Sequence, residues 1–564
     1  MENKEYMLID GNPVEINGEK NLLEVIRKAG IELPTFCYHS ELSVYGACRM
    51  CMVENSHGGM EAACSTVPKA GMEIYTNTER LHKHRKMILE LLLANHCRDC
   101  TTCQKNGKCR LQELASLFGL ESIRFKNLKP EPELDTSSLS IIRDAHKCIL
   151  CGDCVRMCNE IQNVGAIDFV NRGSKMVIGP AFNEPIANSP CVGCGQCAAV
   201  CPTGAIVIRK DTGRVWPELN DKNTKVVAQV APAVRVAMAK EFGLPENENS
   251  MGRITAALRR LGFDEVYDTA TGADLTVLEE SNEFLQRIEA GENLPLITSC
   301  CPAWIQYCEK NHPELMKNIS TCKSPMQMFS SVIKAKYATS SRRVVCVAVM
   351  PCTAKKFECA REEFMHDGVP ETDYVITTQE LIQMIHKAGI VFEELEPEAV
   401  DSVFSTCTGA GVIFGVTGGV TEAVLRRLST DKSNKALMSI AFNDVRGMKG
   451  VKETTIPYGD KEVHIAIVSG LKNAEKVIQA LKNGEHFDFI EVMACPGGCV
   501  AGGGQPFGTN AAKEVRGKAL YSADKMLSIK RSEENPLMLS LYDGVLKGRV
   551  HELLHVHYNH KEEE

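Results

Sequence analysis

No run of about 18 or more apolar residues occurs in the 564-residue chain, so no membrane span is expected. The first residues, Met1-Glu2-Asn3-Lys4-Glu5-Tyr6, carry no basic stretch followed by an apolar one and no twin arginine. An export signal is therefore not expected, and the protein is read as cytoplasmic. Positive charge is not in excess either: 64 Lys and Arg stand against 72 Asp and Glu, a net charge of −8, which gives no reason to expect nucleic acid as a partner. No nicotinamide-binding glycine fingerprint is present. What remains is an ordinary soluble composition, 44% hydrophobic and 24% charged, in a chain too long for one core. Roughly three or four domains are expected.

Cysteine is what the chain has in abundance. There are 26, and in a reducing compartment so many argue for metal rather than disulfides. Nineteen of them and one histidine fall into five sets with iron–sulfur spacing.

The first set follows two short strand-like runs, Tyr6–Ile9 and Pro13–Ile16, joined by the turn residues Asp10-Gly11-Asn12, and a helix over Leu22–Ala29. It comprises Cys37, Cys48, Cys51 and Cys64, spaced C-x10-C-x2-C-x12-C. Gly46 and Ala47 are small enough to let backbone N–H groups approach cluster sulfurs. The long first gap resembles the [2Fe–2S] domain that opens multi-cluster hydrogenases and one complex I subunit; a structural zinc site is the alternative. The second set follows a helix over Leu81–Ala94: His96, Cys100, Cys103 and Cys109. Zinc would accept this set equally well, and the neighbouring clusters favour [4Fe–4S]. Its neutral imidazole should raise the local potential. Cys97 is out of register.

Cys148, Cys151, Cys154 and Cys158 form C-x2-C-x2-C-x3-C, and Cys191, Cys194, Cys197 and Cys201 repeat it, with Pro202 completing the ending. In the two-cluster bacterial ferredoxin pattern each fourth cysteine ligates the other cluster. One [4Fe–4S] is thus expected on Cys148, Cys151, Cys154 and Cys201, the other on Cys191, Cys194, Cys197 and Cys158. Before these motifs, Lys126–Ser138 is polar, holds Pro130 and Pro132, and reads as a linker.

From about residue 211 apolar strands alternate with helices, the pattern of a largely parallel α/β fold. Four strands matter. Val226–Val230 runs into Ala231-Pro232-Ala233, Leu294–Ile297 into Cys300-Cys301, Val344–Val349 into Cys352, and Phe487–Val492 into Cys495 and Cys499. Open parallel sheets bind ligands beyond the carboxyl ends of their strands, so four segments converge on one site.

The catalytic half then becomes specific. TSCCPAW (298–304), MPCTAKKFE (350–358) and EVMACPGGCVAGGGQP (491–506) resemble, in order, the three signature motifs of [FeFe]-hydrogenases, and the upstream sets resemble the large monomeric, multi-cluster type. The resemblance spans essentially the whole chain. It implies a multidomain α+β and α/β protein. Its parts would be a plant-type ferredoxin-like β-grasp (1–80), a His/Cys3 cluster domain (81–125), a two-[4Fe–4S] ferredoxin domain (126–210) and a catalytic domain with parallel sheets (211–564). It implies one [2Fe–2S] cluster, three accessory [4Fe–4S] clusters and an H-cluster. In the last, Cys301, Cys352, Cys495 and Cys499 hold a [4Fe–4S] unit, and Cys499 bridges to a two-iron unit bearing CO, cyanide and an azadithiolate. It implies reversible conversion of protons and electrons to H2 by heterolytic cleavage, with ferredoxin or flavodoxin as electron partner and maturation proteins that deliver the two-iron unit.

The residue types agree with that expectation. Iron-bound cyanides need donors in an apolar cavity, and Lys355, the backbone of Ala231, Pro232 and Ala233, and the Ser324 hydroxyl are the candidates. Met350, Met493 and Phe414 would wall the cofactor, and Gly502-Gly503-Gly504 would let main chain pass close to it. Met326 stands where many family members have glutamine and is left out of the donor set. Cys300 is one thiol too many for the cluster, and the resemblance makes it the first step of a proton relay, Cys300–Glu280–Ser320–Glu283–Arg287. On a helix over Val277–Ala290, Glu280, Glu283 and Arg287 share one face. Taken without the motifs, that stripe reads as a solvated face and Lys355 as a surface lysine.

Cys308, Cys322, Cys346, Cys359 and Cys407 join no set and read as buried packing residues. In the helix-like tail Lys547–Tyr558, His551 and His555 sit four apart without a third ligand, which favours packing over zinc. The basic His82–Lys86 run is a docking candidate for an acidic ferredoxin. Three rival functions are an electron-wire subunit of the complex I kind, an iron–sulfur assembly protein, and a hydrogen sensor or complex-bound catalytic subunit.

Overall fold

The computed structural model describes residues 5–127, 133–429, 445–448, 450–458 and 461–558. Of the expected linker Lys126–Ser138, residues 128–132 lie outside this set, Pro130 and Pro132 among them. Among the described residues no helix is long and apolar enough to cross a membrane.

The chain opens with an antiparallel hairpin, Glu5–Ile9 with Asn12–Ile16. Its two-residue turn works because Asp10 and Gly11 both adopt positive φ, 50° and 81°. The sheet is five-stranded and mixed, in the order Asn12–Ile16, Glu5–Ile9, Glu73–Tyr75, Met52–Asn55, Met60–Ala62. Helix Leu22–Lys28 starts where Asn21 Oδ1 accepts from the Glu24 N–H at 3.1 Å. It buries Leu22, Leu23, Val25 and Ile26 against the sheet. The longer helix Glu79–Ala94, capped by Thr78, carries the chain to the second cysteine set. In the ferredoxin-like part, Ile141–Arg143 pairs with Ile206–Ile208, and each motif turns through a left-handed glycine, Gly152 or Gly195, into a short helix.

The catalytic part contains two four-stranded sheets beside a small two-stranded one. In the first, Glu265–Asp268, Thr224–Val230, Arg343–Met350 and Tyr374–Thr377 lie side by side, all parallel. In the second, Leu296–Ile297, Phe489–Met493 and Lys461–Ser469 are parallel and Val451–Tyr458 closes the edge antiparallel. The four strands expected to converge do so, two from each sheet. The carboxyl ends of the two pairs open on a common cavity. Val226, Ala228, Val230, Val345, Val347 and Val349 are buried in one core and Ile297, Ala466, Val468, Ile490 and Val492 in another. Strands covered on both faces in this way read as continuous apolar runs, and each large aliphatic side chain contributes roughly 1.5–3 kcal/mol by burial.

Two helices begin at the cavity with proline in their first turn, Pro302–Asn311 and Pro325–Lys336. The helix expected over Val277–Ala290 is longer, Ala270–Ala290, and its first half is fully buried. C-terminal helices Asn510–Met526, Pro536–Asp543 and Val550–Leu554 fold back on the catalytic core. Asp274 ties them in: it accepts from Ser532 Oγ (2.8 Å), Asn535 Nδ2 (3.1 Å) and the Thr408 N–H (3.0 Å).

Candidate metal centres and active site

The short-spaced sets close up locally. Cys37 and Cys48 are close enough that the Cys48 N–H points at Cys37 Sγ, 3.3 Å away, and Cys51 and Cys64 form a second close pair. Cys103, Cys100 and Cys109 lie within each other's fields. Cys97 turns away to Asp99 Oδ2 at 3.1 Å. Phe36, Cys37, Cys48, Cys109 and Cys151 belong to one apolar cluster, so the first three sites adjoin.

The crossed pairing of the ferredoxin motifs appears directly. Cys148, Cys151, Cys154 and Cys201 line one small cavity, and Cys158, Cys191, Cys194 and Cys197 line another. Gln196 carries the line into the catalytic part. Its side-chain amide donates to Cys495 Sγ at 3.2 Å and to the Ala501 carbonyl at 2.9 Å.

Cys301, Cys352, Cys495 and Cys499 meet in a cavity of about 90 Å³ between the two sheets. Burial pushes all four thiols up, with their mutual repulsion adding to it for Cys352, Cys495 and Cys499; Cys352 reaches about 11. Four crowded thiols in a dry pocket form a donor set that iron would compensate. Met350, Met493, Phe414 and Met326 line the apolar wall. Lys355 is buried there, 2.7 Å from Glu358 and 3.3 Å from the Cys300 carbonyl. Burial opposes its charge, but Glu358, Cys352 and Cys300 outweigh burial and hold its pKa above the ordinary lysine value. Ser324 sits at the head of helix Pro325–Lys336 without capping it, and its fully buried hydroxyl has no hydrogen-bond partner among the described residues. These features fit an anionic, ligand-bearing group.

Two expectations change here. The Ala231 N–H is spent on the Val349 carbonyl at 3.0 Å and Pro232 has none, so within that segment only Ala233 keeps a donor for the cavity. Of the glycine triad, Gly502 lines the cavity as expected, whereas Gly503 and Gly504 meet protein rather than cofactor. A Cβ on Gly502 would fall 2.2 Å from the Pro351 oxygen, one on Gly503 would fall 2.4 Å from the Cys194 oxygen, and one on Gly504 would meet Thr377 at 2.9 Å. Gly503 therefore lets the catalytic loop lie against the second ferredoxin motif.

Behind the cavity the expected relay residues run from the buried interior to a partly exposed end. Cys300 is 9% exposed, Glu280 and Ser320 are buried, and the Glu283 and Arg287 side chains are each 12% exposed. Burial, then Glu280, pushes the Cys300 thiol well up, which favours the protonated thiol. Burial, then the Glu283 charge, pushes Glu280 up to about 8. Ser320 Oγ donates to Glu283 Oε2 at 2.8 Å, and Arg287 Nη2 donates to Glu283 Oε1 at 2.6 Å. The expected serine link between the two glutamates is one-sided: among the described residues neither Glu280 oxygen has a partner at hydrogen-bond distance, although Ser320 and the Ser299 N–H are close enough to moderate its pKa.

Cys322 is a correction of another kind. It is fully buried, but it faces Glu280, Glu283 and Glu279 rather than apolar side chains alone. The tail helix is only Val550–Leu554, and His555 beyond it bonds Glu279 and Thr321. Gln196, Cys322 and Glu279 carry no local spacing signal, and the His551/His555 spacing does not point to Glu279 or Thr321. Cys322, two residues from Ser320, was the nearest to being found.

A line of cysteine-lined sites with iron–sulfur spacing, ending in a buried four-cysteine centre, defines a redox metalloenzyme. Residues 224–503 match the family described as iron only hydrogenase large subunit, C-terminal domain, and 510–561 match iron hydrogenase small subunit. Upstream, 6–79 match a 2Fe-2S iron-sulfur cluster binding domain, 85–124 the NADH-ubiquinone oxidoreductase-G iron-sulfur binding region, and 147–209 a 4Fe-4S dicluster domain. The chain is 41% identical to the NADP-reducing hydrogenase subunit HndD of Solidesulfovibrio fructosivorans, over 98% of each. It is 35% identical to iron hydrogenase 1 of Clostridium pasteurianum, over 98% of this chain and 99% of that one. A variant of the [FeFe]-hydrogenase HydA1 from Chlamydomonas reinhardtii superposes with a TM-score of 0.54 at 36% identity, covering 62% of this chain and 98% of that one. The chain belongs to the [FeFe]-hydrogenase family: it is an iron-only hydrogenase, carrying 2Fe-2S and 4Fe-4S sites and an H-cluster, that interconverts protons and dihydrogen.

Proposed function

We propose that this hydrogenase works reversibly, with Cys301, Cys352, Cys495 and Cys499 holding the H-cluster and Cys300 passing protons between it and Glu280. The observation that carries the reading is the fifth thiol, Cys300, buried beside the four-cysteine set with Glu280 next behind it. When bound, the two-iron unit supplies a Lewis-acidic position at which dihydrogen is cleaved heterolytically. The protein's part is to hold that unit and to separate the charges. Lys355, Ser324 and the Ala233 N–H offer donors to its anionic ligands, and Met350, Met493 and Phe414 keep water away. Cys300, its thiol pushed up by burial, holds its proton at rest, and Glu280, pushed up to about 8, is the neighbouring group with which it exchanges. Crossing from Glu280 to Ser320 takes a side-chain rotation or a bridging water, after which Glu283 and Arg287 lead outward.

Electrons enter through one [2Fe–2S] and three accessory [4Fe–4S] clusters, and Gln196 marks the last step before Cys495. The four-part division at residues 80, 125 and 210 follows the same cysteine sets. Ferredoxin or flavodoxin is the proposed external partner, in the cytoplasm, with maturation proteins supplying the two-iron unit. The likeness to HndD favours a second reading, in which the chain serves a nicotinamide-reducing assembly. Assaying the purified chain with reduced ferredoxin and with NADPH separates the two.

Cys300→Ala tests the relay. Infrared bands of metal-bound CO and cyanide should persist while turnover falls by about 10²-fold or more. Retained turnover would show that Cys300 does not gate the protons.

A further inference from the structure

Where the relay approaches the surface, three side chains from distant parts of the chain face one another. Glu283 comes from helix Ala270–Ala290, Cys322 from the loop before helix Pro325–Lys336, and His555 from just past the last helix. One ligand atom from each lies within 4.8 Å of the other two, and Cys322 Sγ is 3.9 Å from Glu283 Oε2. We propose that Glu283, Cys322 and His555 form a site for a borderline-soft divalent metal ion of the Zn²⁺ type, and that its occupancy closes the outward end of the proton relay. The second half rests on the reading of Glu283 as a relay member; the first does not.

The donor set and its supports fit such an ion. Sulfur, imidazole nitrogen and one carboxylate oxygen suit Zn²⁺ rather than Mg²⁺ or Ca²⁺, which take oxygen. Tetrahedral bonds of about 2.0–2.3 Å put ligand atoms about 3.5 Å apart, so the three need close by an ångström or so. Glu283 Oε1 stays on Arg287, while Oε2 is the oxygen nearest the thiol. His555 is oriented from behind. Its Nε2 lies 3.1 Å from Glu279 Oε2, which only accepts, so Nε2 carries the proton and Nδ1 the lone pair. Nδ1 now faces the Thr321 hydroxyl at 2.8 Å, a partner a metal would replace. A carboxylate behind a ligating histidine is the usual support of such sites. The charge balance also favours a cation: the Glu279 and Glu283 carboxylates act on Cys322, and Arg287 is bound to the far oxygen of Glu283. On binding, Cys322 releases its thiol proton to solvent and ligates as thiolate. Glu283 Oε2, then bonded to metal, no longer receives the Ser320 proton.

The test uses the full-length, cluster-loaded hydrogenase, ZnCl₂, Zn K-edge X-ray absorption and hydrogen uptake with an artificial acceptor. The expected result is one sulfur with nitrogen and oxygen around the zinc, and loss of turnover that a chelator restores. Cys322→Ala and His555→Gln should each raise the half-inhibiting zinc concentration by at least about tenfold while turning over normally without zinc. Zinc without a sulfur ligand, zinc on four sulfurs, or unchanged zinc sensitivity in both variants overturns the site. Zinc held by one sulfur with turnover unaffected keeps the site and overturns its closure of the relay, together with the reading of Glu283.

Discussion

Replacing Glu280 by glutamine removes a titration that the fold makes expensive. The carboxyl is fully buried, and its pKa rises from 4.5 to about 8, chiefly by desolvation and secondarily by the Glu283 charge. Below pH 4.5 native and unfolded chains both hold the proton, and the group costs nothing. Between 4.5 and about 8 the unfolded chain releases the proton and the native chain keeps it, so stability falls as pH rises. Above about 8 both forms are ionised and the loss is constant. At about 1.4 kcal/mol per pH unit the full loss is of order 4–5 kcal/mol, of which about 2–3 kcal/mol accrues between pH 6 and pH 9. Glu280→Gln has no such term. Hydrogen exchange of helix Ala270–Ala290, compared between wild type and variant at each pH, reads the difference. The variant's protection should gain about a hundredfold on wild type from pH 6 to pH 9. Its turnover should stay low throughout, because glutamine cannot pass a proton. A protection ratio that does not change with pH would refute the buried, neutral Glu280 on which the relay depends.

Two further outcomes follow from named contacts. Gln196→Leu removes the hydrogen bond to Cys495 Sγ, so the potential of the adjacent cluster, followed by electron paramagnetic resonance titration, should fall and electron delivery should slow. An unchanged potential would mean that the contact does not tune the cluster. Asp274→Ala strands the donors of Thr408, Ser532 and Asn535 and should destabilise the docked C-terminal segment by about 3 kcal/mol or more, seen as faster limited proteolysis within 510–558.

What could be read in the sequence was what is local. Two-residue gaps between cysteines place their sulfurs together whatever the rest of the chain does, so the three-cysteine cores of the ferredoxin quartets were legible locally, and the exchange of Cys158 and Cys201 was legible only through the two-cluster pattern. Runs such as Val344–Val349 announced buried parallel strands, with the ligands at their ends. Sheet membership was not legible, because whether Leu296–Ile297 pairs with Phe489–Met493 or with Thr224–Val230 is settled by packing across nearly 200 residues. The glycine triad was legible only in part for the same reason: the sequence shows that main chain must pass closely, not that Gly503 and Gly504 pass protein while Gly502 lines the cavity. His555 and Cys322 are 233 positions apart with no periodicity to join them, and only the folded tail brings them to Glu283.

The central claim is that Cys301, Cys352, Cys495 and Cys499 jointly hold the H-cluster. Infrared spectra of the matured wild-type protein beside Cys499→Ser test it most directly. The wild type should show metal-bound CO and cyanide stretches, and the variant, with the bridging thiolate gone, should lack them or show them displaced. A wild-type protein without those bands, or a variant whose bands are unchanged, would contradict the account.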